Sequence, residues 1–212
     1  MISLSNRLRE KSQELNLFST GDREKLETKH IPDALAVSDF WELPDGASVV
    51  DLGTGGGLPG LALAVDYPEA DFILIDSRVK KVKAVNEVID SMEIENARAV
   101  SGRFEELAHM DELREIFDFA VARAVAPLPL LLEYAAGFLK RDGHFYAWKG
   151  SNYEEELKAA SKAMHCLSFR FDEAFEYELA GGEKRYILRF IKTRNSEDKY
   201  PRGIGIPKQK PL

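Results

Sequence analysis

The residues best suited to chemistry follow the apolar pair Val49-Val50: Asp51-Leu-Gly-Thr-Gly-Gly-Gly-Leu-Pro-Gly60 places five glycines within ten positions. A strand that runs into such a loop can bring bare backbone against an adenosine-containing ligand. Asp51, two residues before Gly53, separates the candidate ligands. A carboxylate at the strand end repels a dinucleotide pyrophosphate and tolerates the cationic methionine end of S-adenosylmethionine. Asp51 and Gly53, Gly55 and Gly57 are therefore expected to hold that end, the alternative being a plain structural turn.

Further candidates lie downstream in strand-like contexts. Phe72-Ile-Leu-Ile-Asp76 is an apolar run ending in an acid about 20 residues past the loop, where a carboxylate can accept from both ribose hydroxyls. Its alternative role is to cap the helix beginning near Arg78. Ser77 joins the cofactor set beside it. Arg103-Phe104-Glu105, read as closing the third strand region, could flank an adenine. Phe117 to Val125 carries Arg123 out of an apolar run to the carboxyl edge of a sheet, where such sheets bind ligands; a buried ion pair with a structural acid is the competing role. Phe145-Tyr-Ala-Trp-Lys149 ends in a cation suited to phosphate, with Phe145 and Trp148 expected in the core.

Some chemistries are disfavoured. The strand end at Arg123 lacks an Asn-Pro-Pro-Tyr or Asp-Pro-Pro-Tyr stretch to orient an exocyclic amine. Carbon-5 methylation of a pyrimidine needs a thiol nucleophile, and the single cysteine, Cys166, falls at the end of an expected outer helix, where it reads as a buried apolar filler. A nucleophile with its own in-plane lone pair, such as guanine N7, needs only positioning.

The elements that must position these groups follow from periodicity. Residues 1–45 read as a helical cap, with Pro32 suited to a first turn. From Ser48 short apolar runs alternate with amphipathic stretches, giving strands at 48–53, 72–76, 97–101, 117–123 and 143–149, and helices such as 78–92 and 128–139. Residues 167–179 and 184–192 read as an antiparallel hairpin, because the turn at 180–182 is too short for a parallel crossover. The expected fold is α/β, and parallel strands closed by a hairpin resemble the seven-stranded, mostly parallel sheet of the Rossmann-like class I methyltransferases, with a cap at 1–45, a methyltransferase domain at 46–194 and a basic tail at 195–212.

At 212 residues the chain is long enough to bury about 70% of its unfolded surface without a disulfide or metal staple. No apolar run is long enough for a signal peptide or a bilayer span, so a cytoplasmic, soluble protein is expected. The net charge of −7 would repel nucleic acid if spread evenly, but Lys184 to Leu212 holds nine Lys or Arg against two acids. Tyr200 to Pro211 is a basic tail broken by Pro and Gly; it is expected either to order on RNA through Arg202, Lys208 and Lys210 or to remain solvated. His30, isolated in the cap, is assigned a structural hydrogen bond and no catalytic role.

Taken together, the stretches 16–19, 29–35, 51–60, 74–77, 103–105, 122–124, 148–150, 182–185 and 200–202 resemble the small-subunit ribosomal RNA guanine-N7 methyltransferases, the glucose-inhibited division protein B family. Lys29 stands where that family often has arginine, and Pro32 interrupts a segment that is usually aliphatic. The resemblance implies S-adenosylmethionine contacts at Gly53, Leu58, Phe104, Glu105 and Arg123, and places Arg123, Lys149 and Arg185 where the guanine is expected. It implies methylation of guanine N7 in 16S ribosomal RNA, either free or in an assembling subunit, by a monomer that needs no metal. The rival readings are a small-metabolite methyltransferase and a nucleotide-binding module without catalysis; salt dependence tests the first, and turnover tests the second.

Overall fold

The computed structural model describes residues 3–212. Its N-terminal part contains α1 (Leu4–Leu15), α2 (Thr20–Glu24), a π-helical turn (Leu26–His30), α3 (Ile31–Leu35) and a 3-10 turn (Ala36–Asp39). The segment is helical as read, but in short pieces, because its polar residues stop and restart it. Asn16 ends α1 in the left-handed region at φ 47°, and Ser19 caps α2 by accepting the Asp22 N–H at 3.2 Å. Pro32 falls in the first turn of α3.

There follow β1 (Ser48–Leu52), α4 (Gly60–Asp66), β2 (Asp71–Asp76), α5 (Val79–Ser91), β3 (Ala97–Ser101), α6 (Phe104–Leu107), β4 (Phe117–Arg123), α7 (Leu128–Phe138), β5 (Leu139–Lys149), α8 (Tyr153–Ala159), α9 (Ser161–Cys166), β6 (Phe169–Leu179), β7 (Glu183–Lys192) and α10 (Ile206–Gln209). The strands form one sheet in the order β3-β2-β1-β4-β5-β7-β6, parallel except for β7, which runs antiparallel to both of its neighbours. The chain winds outward from β1 to β3 and then returns to β4 on the other side, so the sheet reverses direction between the ends of β1 and β4. Open α/β sheets bind ligands at such a point. Two sequence expectations are corrected here. Phe104 and Glu105 open α6 rather than close a strand, and Cys166 is half-buried at the end of α9.

Alternate strand residues feed two cores. Val50, Leu52 and Phe145 face α7 and α9, whereas Val49, Phe72, Leu74 and Trp148 face α4 and α5 together with Leu8, Leu26, Val37 and Trp41 of the N-terminal segment. That segment therefore completes one face of the sheet. Lys11 pairs with Glu87 on α5, and Lys81 donates to the Leu17 carbonyl at 3.2 Å.

The basic tail departs most from its expected state. It is docked on α7: Tyr200 and Pro201 are buried, and Arg202 grips Glu133 through its backbone N–H, Nε and Nη2 at 2.9, 2.8 and 2.6 Å. Glu133 is fully buried at the middle of α7 and demands such a partner. Arg202 is thus committed to an internal ion pair. Among the described residues, no helix is long and apolar enough to cross a membrane.

Candidate active site

The loop after β1 is fastened to β2 by the Gly53 and Thr54 N–H groups, which both donate to the Ile75 carbonyl at 2.8 and 2.9 Å. Gly53 sits at φ 80°, and a Cβ there would lie 2.6 Å from Val125 Cγ2, so only glycine lets the loop approach the β4 side. Leu58 is buried in the core beneath the loop. Gly55 donates its N–H to Asp76 Oδ2 at 3.0 Å, and Gly57 turns the chain into α4.

Asp51 is 1% exposed under this loop; its Oδ2 accepts the Gly60 N–H at 2.8 Å, while Oδ1 and the nearby Thr54 hydroxyl are buried without a partner among the described residues. Burial pushes its carboxyl up from 3.8 to about 6. Because the folded value is raised, the folded state holds its proton longer than the unfolded chain, and stability falls as pH rises from 3.8 through about 6. Asp51→Asn keeps an acceptor for Gly60 and removes the charge. The variant is expected to be more stable than the parent by about 1 to 2 kcal/mol at neutral pH and equal to it below about pH 4. Each pH unit between the folded and unfolded values is worth about 1.4 kcal/mol, and relaxation around the charge recovers part of the total. Urea unfolding across this range measures the gap; parallel stability curves would refute it.

Asp76 ends β2, nearly buried. Its Oδ1 accepts the N–H and Nε of Arg78 at 2.9 and 3.1 Å, and its Oδ2 accepts Arg78 Nη2 at 3.1 Å along with the Gly55 N–H. Burial alone would raise this carboxyl; the Arg78 bonds outweigh it and hold Asp76 below its ordinary range. The Arg78 side chain is 60% exposed, so this pairing sits at the surface. The structure thus shows Asp76 bracing the start of α5 and the glycine loop, with both carboxylate oxygens engaged.

Beside it opens a cavity of about 460 Å³, lined by Ser77, Arg103, Phe104, Glu105, the segment Val125–Pro127, Tyr134, and Lys208 and Pro211 of the tail, among others. The Phe104 ring packs on Tyr134 at 4.8 Å. Mostly apolar walls with a few fixed polar groups suit a heterocycle with hydrogen-bonding edges.

A second cavity, about 680 Å³, shares the Val125–Pro127 wall and is lined by Lys29, His30, Asp33, Arg123, Lys149, Glu156, Tyr177 and Arg185, among others. It brings together Arg123, Lys149 and Arg185 from three strands. Each has an acid: Arg123 Nη1 meets Asp33 Oδ2 at 2.7 Å, Lys149 Nζ meets Glu156 at 2.6 Å and the Ala126 carbonyl at 3.0 Å, and Arg185 Nη2 meets Glu183 at 2.6 Å. Lys149 is 8% exposed, so it braces the Val125–Pro127 wall from within. Arg123 differs from it, because its Nε and Nη2 have no partner among the described residues. Ala124 follows it at φ 57°, a conformation uncommon outside glycine and found at sites that hold strain.

Sequence reasoning passed over Asp33 and Tyr177. Asp33 Oδ1 accepts the Tyr177 hydroxyl at 2.5 Å and its carbonyl accepts Trp148 Nε1 at 2.7 Å, so one acid joins α3, β4, β5 and β6. Burial, followed by the charge of Asp33, raises the Tyr177 hydroxyl pKa well above its usual value. The only sequence signal was the 29–35 stretch; nothing local marked Tyr177. His30 makes the structural hydrogen bond expected of it, to Asp22 at 3.2 Å, and also lines the larger cavity. Burial first, and then Arg123, lower its pKa.

The fold is shared with solved structures, including a SAM-dependent methyltransferase from Aquifex aeolicus with a TM-score of 0.63, at 15% identity over 86% of this chain and 98% of that one. Residues 1–180 match the family GidB, rRNA small subunit methyltransferase G. Relatives bearing the name ribosomal RNA small subunit methyltransferase G include one from Syntrophomonas wolfei, 38% identical over 87% of this chain and 85% of its own length. Another, from Thermotoga sp., is 41% identical over 78% of this chain and 72% of its own. With the reversal point, the glycine loop and the two adjoining cavities in place, the chain belongs to the rRNA small subunit methyltransferase G family.

Proposed function

We propose that this protein transfers a methyl group from S-adenosylmethionine to N7 of a guanine in small-subunit ribosomal RNA. The observation that carries the reading is the pair of cavities meeting across Val125–Pro127, one suited to an adenosyl group and the other lined by Lys29, Arg123, Lys149 and Arg185. The residues present fit the cofactor. The buried Asp51 Oδ1 lacks a hydrogen-bond partner among the described residues, Ser77, Phe104 and Glu105 line the smaller cavity, and Asp76 precedes Ser77 at the end of β2.

Bound S-adenosylmethionine supplies an electrophilic methyl group on its sulfonium. Asp76 and Ser77 would hold the ribose side, and Phe104 with Glu105 the adenine side. Asp51, Gly53, Gly55 and Gly57 shape the methionine end. Arg123, fixed at one nitrogen by Asp33, uses its remaining donors to orient cofactor and guanine together. Guanine N7 brings its own lone pair, so alignment accounts for most of the acceleration and no side chain need remove a proton before attack. Arg185 would meet the RNA at the rim of the larger cavity, while Lys149, tied to Glu156 and the Ala126 carbonyl, would hold the wall on which the guanine rests. The protein would act as a monomer in the cytoplasm, on free RNA or an assembling subunit.

The test is incubation with labelled S-adenosylmethionine and separately purified ribosomal RNAs, subunits and tRNA, followed by nucleoside analysis. Label is expected in 7-methylguanosine of small-subunit RNA alone, with apparent affinity falling steeply as salt rises through counterion release. Turnover of a small metabolite with little salt dependence would favour the rival enzyme reading.

A further inference from the structure

The tail forms part of the smaller cavity's lining, through Lys208 and Pro211. Its docking is built in at several points. Pro201 is seated where α7 carries Gly137; a Cβ there would lie 2.7 Å from Pro201 Cδ. The Pro201 carbonyl is 2.8 Å from His109 Nε2, the Tyr200 carbonyl accepts Arg114 Nη1 at 3.1 Å, and Arg202 Nη2 also donates to the Lys210 carbonyl at 2.9 Å. Most directly, the Gly205 N–H donates to Glu105 Oε1 at 3.1 Å. Glu105 is buried, its Oε1 also faces the Tyr134 hydroxyl at 3.4 Å, and its Oε2 has no hydrogen-bond partner among the described residues.

We propose that residues 203–212 are a binding segment of the cofactor site: the Gly205 amide positions Glu105 to receive a donor from the adenosyl group, while Lys208 and Pro211 wall the cavity around it. Lys208 of the tail thus serves the nucleoside cofactor, whereas composition had suggested RNA. Docking of the tail and binding of the nucleoside are linked, and each strengthens the other by the same factor. The proposal rests on the smaller cavity being the S-adenosylmethionine site.

Three proteins are titrated calorimetrically with S-adenosylmethionine: the full chain, a chain ending at Gly203, and the double variant Lys208→Ala, Pro211→Ala. The shortened chain keeps the Arg202–Glu133 pair and is expected to bind about fivefold more weakly; the double variant, which leaves Gly205 in place, about threefold. If the shortened chain fails to fold, the double variant and the full chain decide the matter. In the full chain, tryptic cleavage of the Lys208–Gln209 bond, followed by mass spectrometry, is expected to slow at least fivefold at saturating S-adenosylmethionine. Cofactor affinity of the folded variants within experimental error of the full chain, or an unchanged cleavage rate, overturns the proposal while leaving the proposed function standing. Failure of the full chain to bind S-adenosylmethionine overturns both.

Discussion

Asp76→Ala is expected to weaken S-adenosylmethionine by about 1.5 to 3 kcal/mol, roughly 10- to 150-fold in affinity, the range for hydrogen bonds to a charged acceptor. The carboxylate is the end point of β2, and a diol that displaced the Arg78 guanidinium would meet both of its oxygens. The same substitution frees the Gly55 and Arg78 N–H groups, so some stability is lost as well. Arg78→Ala separates the two effects. It removes the competing guanidinium and leaves the carboxylate, so affinity is expected to hold or rise. Calorimetric titration with thermal unfolding of each unliganded variant reads both quantities. An Asp76→Ala protein that loses stability yet binds with unchanged affinity would reduce Asp76 to a brace for the glycine loop.

Arg123→Lys is expected to fold and to lose more than about tenfold in methyl transfer, or about 1.4 kcal/mol of barrier, in single turnover with both substrates saturating. The ammonium can still satisfy Asp33, the acid that Arg123 Nη1 meets at 2.7 Å, so the buried pair survives. What it lacks is the planar fork, whose Nε and Nη2 are left over once Asp33 and the His30 carbonyl have taken Nη1. Near-normal turnover would show that Arg123 acts by charge alone. Arg123→Ala is the poorer probe, because it strands the buried Asp33 and confounds catalysis with stability.

The glycine loop, the acids closing β1 and β2 and the arginine closing β4 were legible in the linear chain, as were, to within a few residues, the strands, the hairpin and the helices between them. Local rules act on these features: alternation for strands, spacing for helices, and glycine where a Cβ collides. Partners emerged only on folding. Asp33 finds Arg123 across 90 positions and Tyr177 across 144, Glu133 finds Arg202 across 69, and Glu105 finds Gly205 across 100. Composition showed residues 184–212 as nine cations against two acids, with no means of showing that one cation answers a buried carboxylate on α7 and another lines a cavity. One cause underlies all these pairs. A buried charge requires a partner at hydrogen-bond distance, and which residue supplies it depends on the order in which strands and helices stack, a property of the whole topology and of no local segment.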